Sequence, residues 1–289
     1  MAWKRTNAIS HSWQREIING ICQALLLVPE ALLIALLLCV YWATGEPPLI
    51  GLIVTLLIIS FLTRLLALVG ARRSFNLARY READTLAQIG LALYPWSADS
   101  LALHGATALA LGRAAEAEPM LRQAIALLPG RANIHAALSS ALLSLGRPAE
   151  AAEAARMALA LEPQSAMIYF YLAEAEQAAG VPSLEVEDRL RAGLTLAATA
   201  EDEAALRCAL GAILIAEERT AEALLTLRGA EALMPNCRPV RQLELRVRLG
   251  ELMIAQGQIE RAREQFRNVA ALDASGRYAG ATWRATHLL

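Results

Sequence analysis

The phrase LALYP at residues 91–95 returns as IALLP at 125–129 and as LALEP at 159–163. The three prolines are therefore 34 residues apart. A fixed period of this length predicts an all-α solenoid, in which helical hairpins bury their apolar faces against their neighbours. Such arrays bind other chains and rarely catalyse reactions, so the spacing narrows both the fold class and the class of function.

The composition predicts that part of the chain lies in lipid. Of its 289 residues, 56% are hydrophobic, and the mean hydropathy of +0.37 exceeds that of ordinary soluble proteins. The net charge of −1 does not favour nucleic-acid binding, which usually comes with a clear basic excess. The four cysteines form no Cys-x-x-Cys pair, so neither a zinc site nor a disulfide framework is predicted: Cys22, Cys39, Cys208 and Cys237.

Two apolar runs near the N-terminus, residues 24–44 and 49–70, are each long enough to span a bilayer. The linker between them, GEPP at 45–48, is rich in helix breakers and predicts a tight transmembrane hairpin. A cleavable signal peptide is the competing interpretation of the first run. It is disfavoured because the run is long and a second span follows directly. Residues 1–71 are therefore predicted to form an N-terminal segment with a two-helix membrane anchor.

The charges around these spans predict their orientation. Basic residues flank both sides of the hairpin: Lys4, Arg5 and Arg15 before it, and Arg72, Arg73, Arg79 and Arg81 after it. The connecting turn contains no Lys or Arg. The positive-inside rule then places both termini and the solenoid in the cytoplasm, with the hairpin in the plasma (inner) membrane and in contact with its lipid.

Two charged residues interrupt the apolar runs. Glu30 and Arg64 both lie roughly 21–23 Å from the outer turn at 1.5 Å rise per residue, so they share one depth. We expect them to pair across the hairpin, since a lone charge in lipid is costly. Two alternatives stay open: each side chain reaches separately to the cytoplasmic interface, or one meets a charge on another membrane subunit.

The solenoid predicted after the hairpin repeats small residues at unit positions 8 and 20, further apolar positions at 24 and 27, and proline at 32. Unit 98–131 holds Gly105, Ala117, Leu121, Ala124 and Pro129 there, and unit 132–165 holds Ser139, Ala151, Ala155, Ala158 and Pro163. This pattern resembles the tetratricopeptide repeat. The resemblance implies about five repeats over 98–276, a connecting helix or half-repeat at 72–97, and a closing helix at 277–289. The third unit needs one extra residue after Gly180 to stay in phase.

The resemblance also implies a concave groove, lined by the first helix of each unit. The residues at the groove positions are Ala102, Ala106, Leu109, Asn133, Ala136, Ser140, Leu143, Phe170, Glu174, Gln177, Cys208, Ala212 and Ile215. Family members that hold an acidic chaperone tail use Lys, Arg and Asn at such positions. Because that set is missing here, an apolar or helical ligand is the expected occupant.

No pattern in the sequence predicts chemistry. A Gly-rich phosphate loop, His-Glu-x-x-His and Gly-x-Ser-x-Gly are all missing, so no catalytic, cofactor-binding or metal site is expected. His104, His135 and Cys208 are interpreted as packing residues, although Cys208 could also face the groove. The most basic helix is either a solvated face or a patch for an acidic partner, and it carries Arg238, Arg241, Arg246 and Arg248.

These observations together predict a membrane-anchored scaffold, which is not an enzyme and binds no nucleic acid or small-molecule substrate. Its expected role is to hold a protein partner, a membrane-complex subunit, during assembly or stabilisation of that complex. A permanent accessory subunit is the alternative within the binding class, and a repeat module linked to an enzyme is the alternative outside it. The arrangement of hairpin, basic flank and repeats resembles the HemY-type bacterial membrane proteins, in architecture only.

Overall fold

The computed structural model describes residues 36–40, 42–43, 48–273 and 278–287, and within these ranges the structure is all α. Residues 36–40 and 42–43 are helical, and a 3₁₀ turn at Met234–Asn236 follows α10. The longer helices are α1 Pro48–Asn76, α2 Tyr80–Leu93, α3 Ala98–Ala110, α4 Ala114–Leu127, α5 Ala132–Ser144, α6 Pro148–Leu161, α7 Ala166–Ala178, α8 Ser183–Leu196, α9 Ala200–Ala216, α10 Thr220–Leu233, α11 Pro239–Ala255, α12 Ile259–Leu272 and α13 Ala279–His287.

Helices α3 to α12 pack as five successive hairpins, which confirms the predicted all-α repeat solenoid. Within a hairpin, the small residue at position 8 lets the second helix approach closely. A Cβ added to Gly105 would lie 2.8 Å from Cγ of Leu121, which occupies position 24 and is completely buried. The large side chains at position 24 of later units fill the same seam, namely Leu190, Leu227 and Phe266.

Four of the five hairpins from α3 to α12 have a glycine at the turn between their helices, and the α9–α10 hairpin has Glu218 there, with φ 59°. Gly112, Gly146, Gly180 and Gly257 all have positive φ, between 72° and 81°, where a side chain would be strained. The third unit has four residues between its helices, 179–182, where the first has three, 111–113. The extra residue predicted after Gly180 is therefore confirmed.

The structure places the start of the solenoid earlier than predicted. Helices α1 and α2 form a further hairpin with the geometry of the others. Ala71 and Ala83, at positions 8 and 20 of a unit counted from residue 64, are both fully buried. Ala78 has φ 56°, and the Arg79 N–H donates to the Ser74 carbonyl at 2.9 Å, as the Arg113 N–H donates to Ala108 at 2.8 Å in the next unit.

The predicted connecting helix or half-repeat at 72–97 therefore differs from the structure at its N-terminal end. Residues 72–76 complete α1, and the chain reverses before α2 begins at Tyr80. The unit at 64–97 is complete, because the C-terminal part of the apolar helix serves as its first helix. Hydropathy suggested a boundary near Gly70, while the backbone turn falls at Ala78.

One helix in the described part of the chain, over Gly51–Asn76, is long and apolar enough to cross a membrane. Its most apolar window has a mean hydropathy of 2.6 and is 17% buried. Most of the predicted first span, 24–44, and Glu30 with it, lie outside the described residues, so the two-span hairpin and the Glu30–Arg64 pair stay predictions. The Arg64 guanidinium lies 4.8 Å from the ring centroid of Tyr94.

The C-terminal end is closed by α13, where the sequence predicted a closing helix. Arg284 on this helix forms an ion pair of 2.6 Å with Glu251 on α11. Its guanidinium also lies 6.0 Å from the ring centroid of Phe266, the buried residue of the last seam. Helix α13 therefore covers the end of the last hairpin with a polar contact as well as an apolar one.

Candidate protein-binding groove

The first helices of successive hairpins face a concave side that encloses a cavity of about 620 Å³. The walls come from α1, α3, α5, α7 and α11, so side chains distant in sequence converge on one space. The lining residues are Phe75, Tyr80, Ala106, Leu109, Ala110, Ala137, Ser140, Leu143, Ser144, Phe170, Tyr171, Glu174, Val240, Arg241, Glu244, Arg248 and Tyr278.

The wall near α1 is apolar. Phe75, Leu109 and Leu143 occupy position 12 of three consecutive units, so the repeat itself arranges them in a row. The small side chains of Ala106 and Ser140, at position 9, leave room beside this row. A row of large apolar side chains with gaps between them suits the apolar face of a bound helix or strand.

The opposite wall is charged but balanced. Helix α11 reaches across to α7, where Arg248 forms a short ion pair with Glu174 and lies 5.3 Å from the ring centroid of Phe170. Beside it, Arg241 donates to Glu244 at 2.8 Å. Each arginine in this wall therefore has an acidic partner, and the four charges sum to zero.

Burial changes the ionisation of two groups at this wall. Desolvation raises the pKa of the Tyr171 phenol, so its hydroxyl stays protonated and can donate a hydrogen bond. Burial is the largest single influence on Arg241 and opposes its charge, but Glu244, Tyr171 and Glu201 together outweigh it, and the pKa of Arg241 is raised. Both side chains therefore keep their hydrogen-bond donors at neutral pH.

A second cavity of about 290 Å³ adjoins the first between α1, α3 and α5. It shares Phe75 and Ala106 with the larger cavity, and its floor includes Ala102. Its rim is polar, with Arg72, Asn76, Asp99, Arg131 and Asn133. The two cavities together form one groove, which extends from the first three hairpins to α7 and α11 and which we call the inner groove.

Eight of the thirteen predicted groove residues line these two cavities: Ala102, Ala106, Leu109, Asn133, Ser140, Leu143, Phe170 and Glu174. Gln177 is exposed but is not among the lining side chains. The sequence therefore located the part of the inner groove formed by α3, α5 and α7.

The predictions on α9 and at Ala136 were wrong. Cys208 is completely buried, Ala136 is 5% exposed, and Ala212 is half-buried outside the inner groove. Ile215 lies in a separate cleft with Glu218 and residues of α11. On α9 the reason is that α11 packs against it and extends Arg248 to Glu174 of α7, which covers the groove side of α9. Ala136 is instead buried in a cluster with Ala158 and Ile168 of the neighbouring helices. Burial also raises the pKa of the Cys208 thiol to about 12, as expected for a packing residue.

The four arginines of α11 do not form one patch. Arg238 forms a 2.7 Å ion pair with Glu201 on α9, whereas Arg246 donates to Gln265 on α12 at 2.6 Å. Only Arg241 and Arg248, seven residues apart, face the inner groove. The four arginines therefore do not share one surface, and binding of an acidic partner by any of them stays a prediction.

The two histidines have packing roles. His104 is buried with Nε2 3.0 Å from Asp84, whose other oxygen accepts from Arg113 at 2.5 Å. The His135 Nε2 atom lies 3.0 Å from the Pro129 carbonyl oxygen. In the described ranges, no three His, Cys, Asp or Glu side chains are grouped as metal ligands.

Sequence reasoning missed the ends of the inner groove. Phe75 has the same unit position as Leu109 and Leu143, so the 34-residue register would have found it if the first unit had been counted from residue 64. Tyr278, Arg241 and Glu244 come from the last part of the array, and their approach to α7 depends on the curvature of the solenoid.

Comparison with known proteins agrees with this architecture. Residues 108–175 and 214–282 match the tetratricopeptide repeat family, and the chain therefore contains tetratricopeptide repeats. It is similar to TTC0263, a thermophilic TPR protein of Thermus thermophilus, with TM-score 0.57 and 23% identity, over 66% of this chain and 99% of that one. It is also similar to a chain of the APC/C hetero-tetramer Cut9–Hcn1, with TM-score 0.60 and 13% identity, over 78% of this chain and 43% of that one.

At these identities the similarities show the fold alone. A search among curated proteins finds no significant match. Tetratricopeptide repeat proteins generally mediate protein–protein interactions, which makes the inner groove the first surface to consider for a partner.

Proposed function

We propose that this chain is a membrane-anchored scaffold, which holds a segment of a protein partner in the inner groove during assembly or stabilisation of a membrane complex. The observation that carries the proposal is the inner groove itself, with an apolar row on one wall and balanced charges on the other. The apolar helix α1 supplies Phe75 to this groove, so the proposed anchor and binding surface belong to one helix.

The chemistry of the groove narrows the class of ligand. Arg241 and Arg248 are already paired with Glu244 and Glu174, so an acidic tail would have to compete with these carboxylates. The row of Phe75, Leu109 and Leu143 instead offers apolar contact area. The expected ligand is therefore an amphipathic segment that presents its apolar side to this row.

Photocrosslinking in cells tests the groove directly. A photoreactive phenylalanine derivative at Ser140 lies in the inner groove, and the same residue at Gln123, exposed on α4, serves as the control. We expect one protein to crosslink at position 140 but not at 123. The substitution Leu143→Arg places a charge in the apolar row and is expected to abolish the product. Equal products at both positions, or a product unaffected by Leu143→Arg, would exclude the groove as the binding site.

A permanent accessory subunit is the alternative within the same class. The crosslinked partner distinguishes the two roles after detergent solubilisation. Stoichiometric co-purification with one complex favours the subunit, whereas substoichiometric capture favours an assembly factor. In both cases we expect the groove on the cytoplasmic side, since basic residues flank the apolar helix.

A further inference from the structure

The first hairpin differs from all later hairpins on its outer surface. Position 25 of the repeat unit lies on the second helix of each hairpin. It is an exposed arginine in five units, whereas the first unit has Gln88 there. The five arginines are Arg122, Arg156, Arg191, Arg228 and Arg267. The stretch 86–96, LAQIGLALYPW, contains no charged residue at all.

Large apolar side chains are exposed at this place. On α2 and the turn after it, Ile89, Leu93 and Trp96 are 50%, 41% and 66% exposed. Such a row on the outer helix of a soluble solenoid would be a liability, because apolar surface in water favours association. On α6, Met157 and Leu161 are 51% and 40% exposed at the unit positions of Ile89 and Leu93, but that helix keeps an arginine at position 25, Arg156. Among the described hairpins, only the one that contains α1 combines such exposed apolar side chains with the loss of this arginine.

Two contacts fix the relative height of α1 and α2. The Arg64 guanidinium lies over the ring of Tyr94, and a Cβ at Gly70 would lie 3.2 Å from Cδ1 of Leu86. Residues 64–70 of α1 therefore run beside 86–94 of α2. At that height α1 also exposes large aliphatic side chains, namely Leu62, Leu65, Leu66 and Val69.

The exposed apolar surface of α1 is nearly as long as a bilayer's hydrocarbon core is thick. From Leu52 to Val69 it extends about 26 Å at 1.5 Å per residue, close to the roughly 30 Å hydrocarbon core of a bilayer. Exposed arginines follow immediately, namely Arg72, Arg73, Arg79 and Arg81. A bilayer that covers α1 as far as Val69 must also cover the outer side of α2, because the two helices are packed at that height.

We propose that the first repeat is itself a lipid-contacting unit: the outer surface formed by Leu65, Leu66 and Val69 of α1 and by Ile89, Leu93 and Trp96 of α2 is embedded in the bilayer. The four arginines lie at the level of anionic headgroups. The solenoid is therefore fused to the membrane through a repeat rather than tethered by a linker. This inference rests on the proposed membrane anchoring.

Depth-dependent fluorescence quenching tests the proposal on the full chain in phosphatidylcholine–phosphatidylglycerol vesicles. In a background with the four native cysteines replaced, bimane is attached to Ile89→Cys or to the matched control Gln123→Cys, the same position of the next unit. A third label at Leu56→Cys, in α1, reports the anchor. The quencher is a doxyl group on a lipid acyl chain, and circular dichroism verifies that each labelled chain is folded.

We expect strong quenching at residues 56 and 89, several times greater than at residue 123. Quenching at residue 56 with residue 89 no more quenched than residue 123 would overturn the inference and leave the membrane anchor intact. Weak quenching at all three positions would overturn the anchor, and the lipid-contacting repeat with it.

Discussion

The two ends of the solenoid are closed in different ways. At the C-terminal end, α13 is short and reaches back to the preceding hairpin through the Arg284–Glu251 ion pair. At the N-terminal end, α1 has 29 residues, contains no acidic side chain, and leaves Leu66 and Val69 more than half exposed. A terminal repeat in water requires a polar outer face. This difference is the basis of the proposal that the N-terminal end contacts lipid.

The largest effect is expected from breaking the seam of the last hairpin. A Cβ at Gly250 would meet three ring atoms of Phe266 at 2.7 to 3.2 Å, and the ring is fully buried. Gly250→Val should therefore lower the free energy of unfolding by about 1–3 kcal/mol, the usual cost of overpacking. Denaturant unfolding measures this loss.

Gly130→Ala is the matched control for this substitution, because a Cβ there meets nothing within 4 Å. An equal loss in both variants would show that the tight approach at Gly250 is not the cause. The Cys208 thiol offers a second readout, since burial holds its pKa near 12 and only opening of the C-terminal hairpins exposes it to alkylation.

At the N-terminal end, Arg113→Ala tests the polar contact between the first two hairpins. Arg113 donates to Asp84 at 2.5 Å, and the carboxylate is 9% exposed beside His104. Removing the donor leaves this buried carboxylate with less compensation, so we expect a loss of about 1–3 kcal/mol in the free energy of unfolding. A loss of the size expected for an exposed ion pair would contradict the role of Asp84 as a buried acceptor.

Between the two ends, acid should weaken the junction of α8 with α10. Hydrogen bonds from Arg219, and then from Arg191, hold the pKa of Glu187 below its ordinary value despite the opposing effect of burial. A depressed folded-state pKa adds stability that is fully present above the ordinary carboxyl pKa near 4.3. This stability is lost as the pH falls through the depressed folded-state value. Urea unfolding from neutral pH to about pH 3 should therefore show a smaller acid-induced loss in Glu187→Gln. An unchanged pH slope would contradict this assignment.

The smallest effect is expected from Arg284→Ala at the C-terminal end. The Arg284 and Glu251 side chains are 43% and 50% exposed, so solvent screens their attraction. We expect a loss of no more than about 1 kcal/mol, measured by the same unfolding experiment as Arg113→Ala. If the two arginine substitutions had equal effects, the contrast between a buried junction and a solvated cap would fail.

The sequence predicted the hairpins well because their signals are local. The glycine turns, the extra residue after Gly180 and the small residues at positions 8 and 20 act within one unit. The path of α11 over α9 was not predictable in this way, since Arg248 and Glu174 are 74 residues apart and no short pattern links them. Curvature of this kind accumulates from side-chain packing between units.

The start of the array was missed for a different reason. Ala78 stands where four of the five later units have glycine, although its φ of 56° is the same left-handed turn; the α9–α10 hairpin has Glu218 there, with φ 59°. The repeat pattern also overlaps the apolar helix, so hydropathy concealed it. Residues 64–76 fit the small-residue register of the repeat and also continue the apolar helix.

Disulfide formation between positions 8 and 24 of the first unit tests most directly whether α1 is the first helix of the solenoid. The full chain, with its native cysteines replaced, would carry Ala71→Cys with Ala87→Cys, and a control chain Gly105→Cys with Leu121→Cys. Both pairs occupy positions 8 and 24 in the seams of consecutive hairpins. A Cβ at Gly105 would lie 2.8 Å from Cγ of Leu121, and Ala71 and Ala87 are both buried. We expect both pairs to close at similar rates on mild oxidation. Closure of the control pair alone would show that α1 is not the first helix of the solenoid.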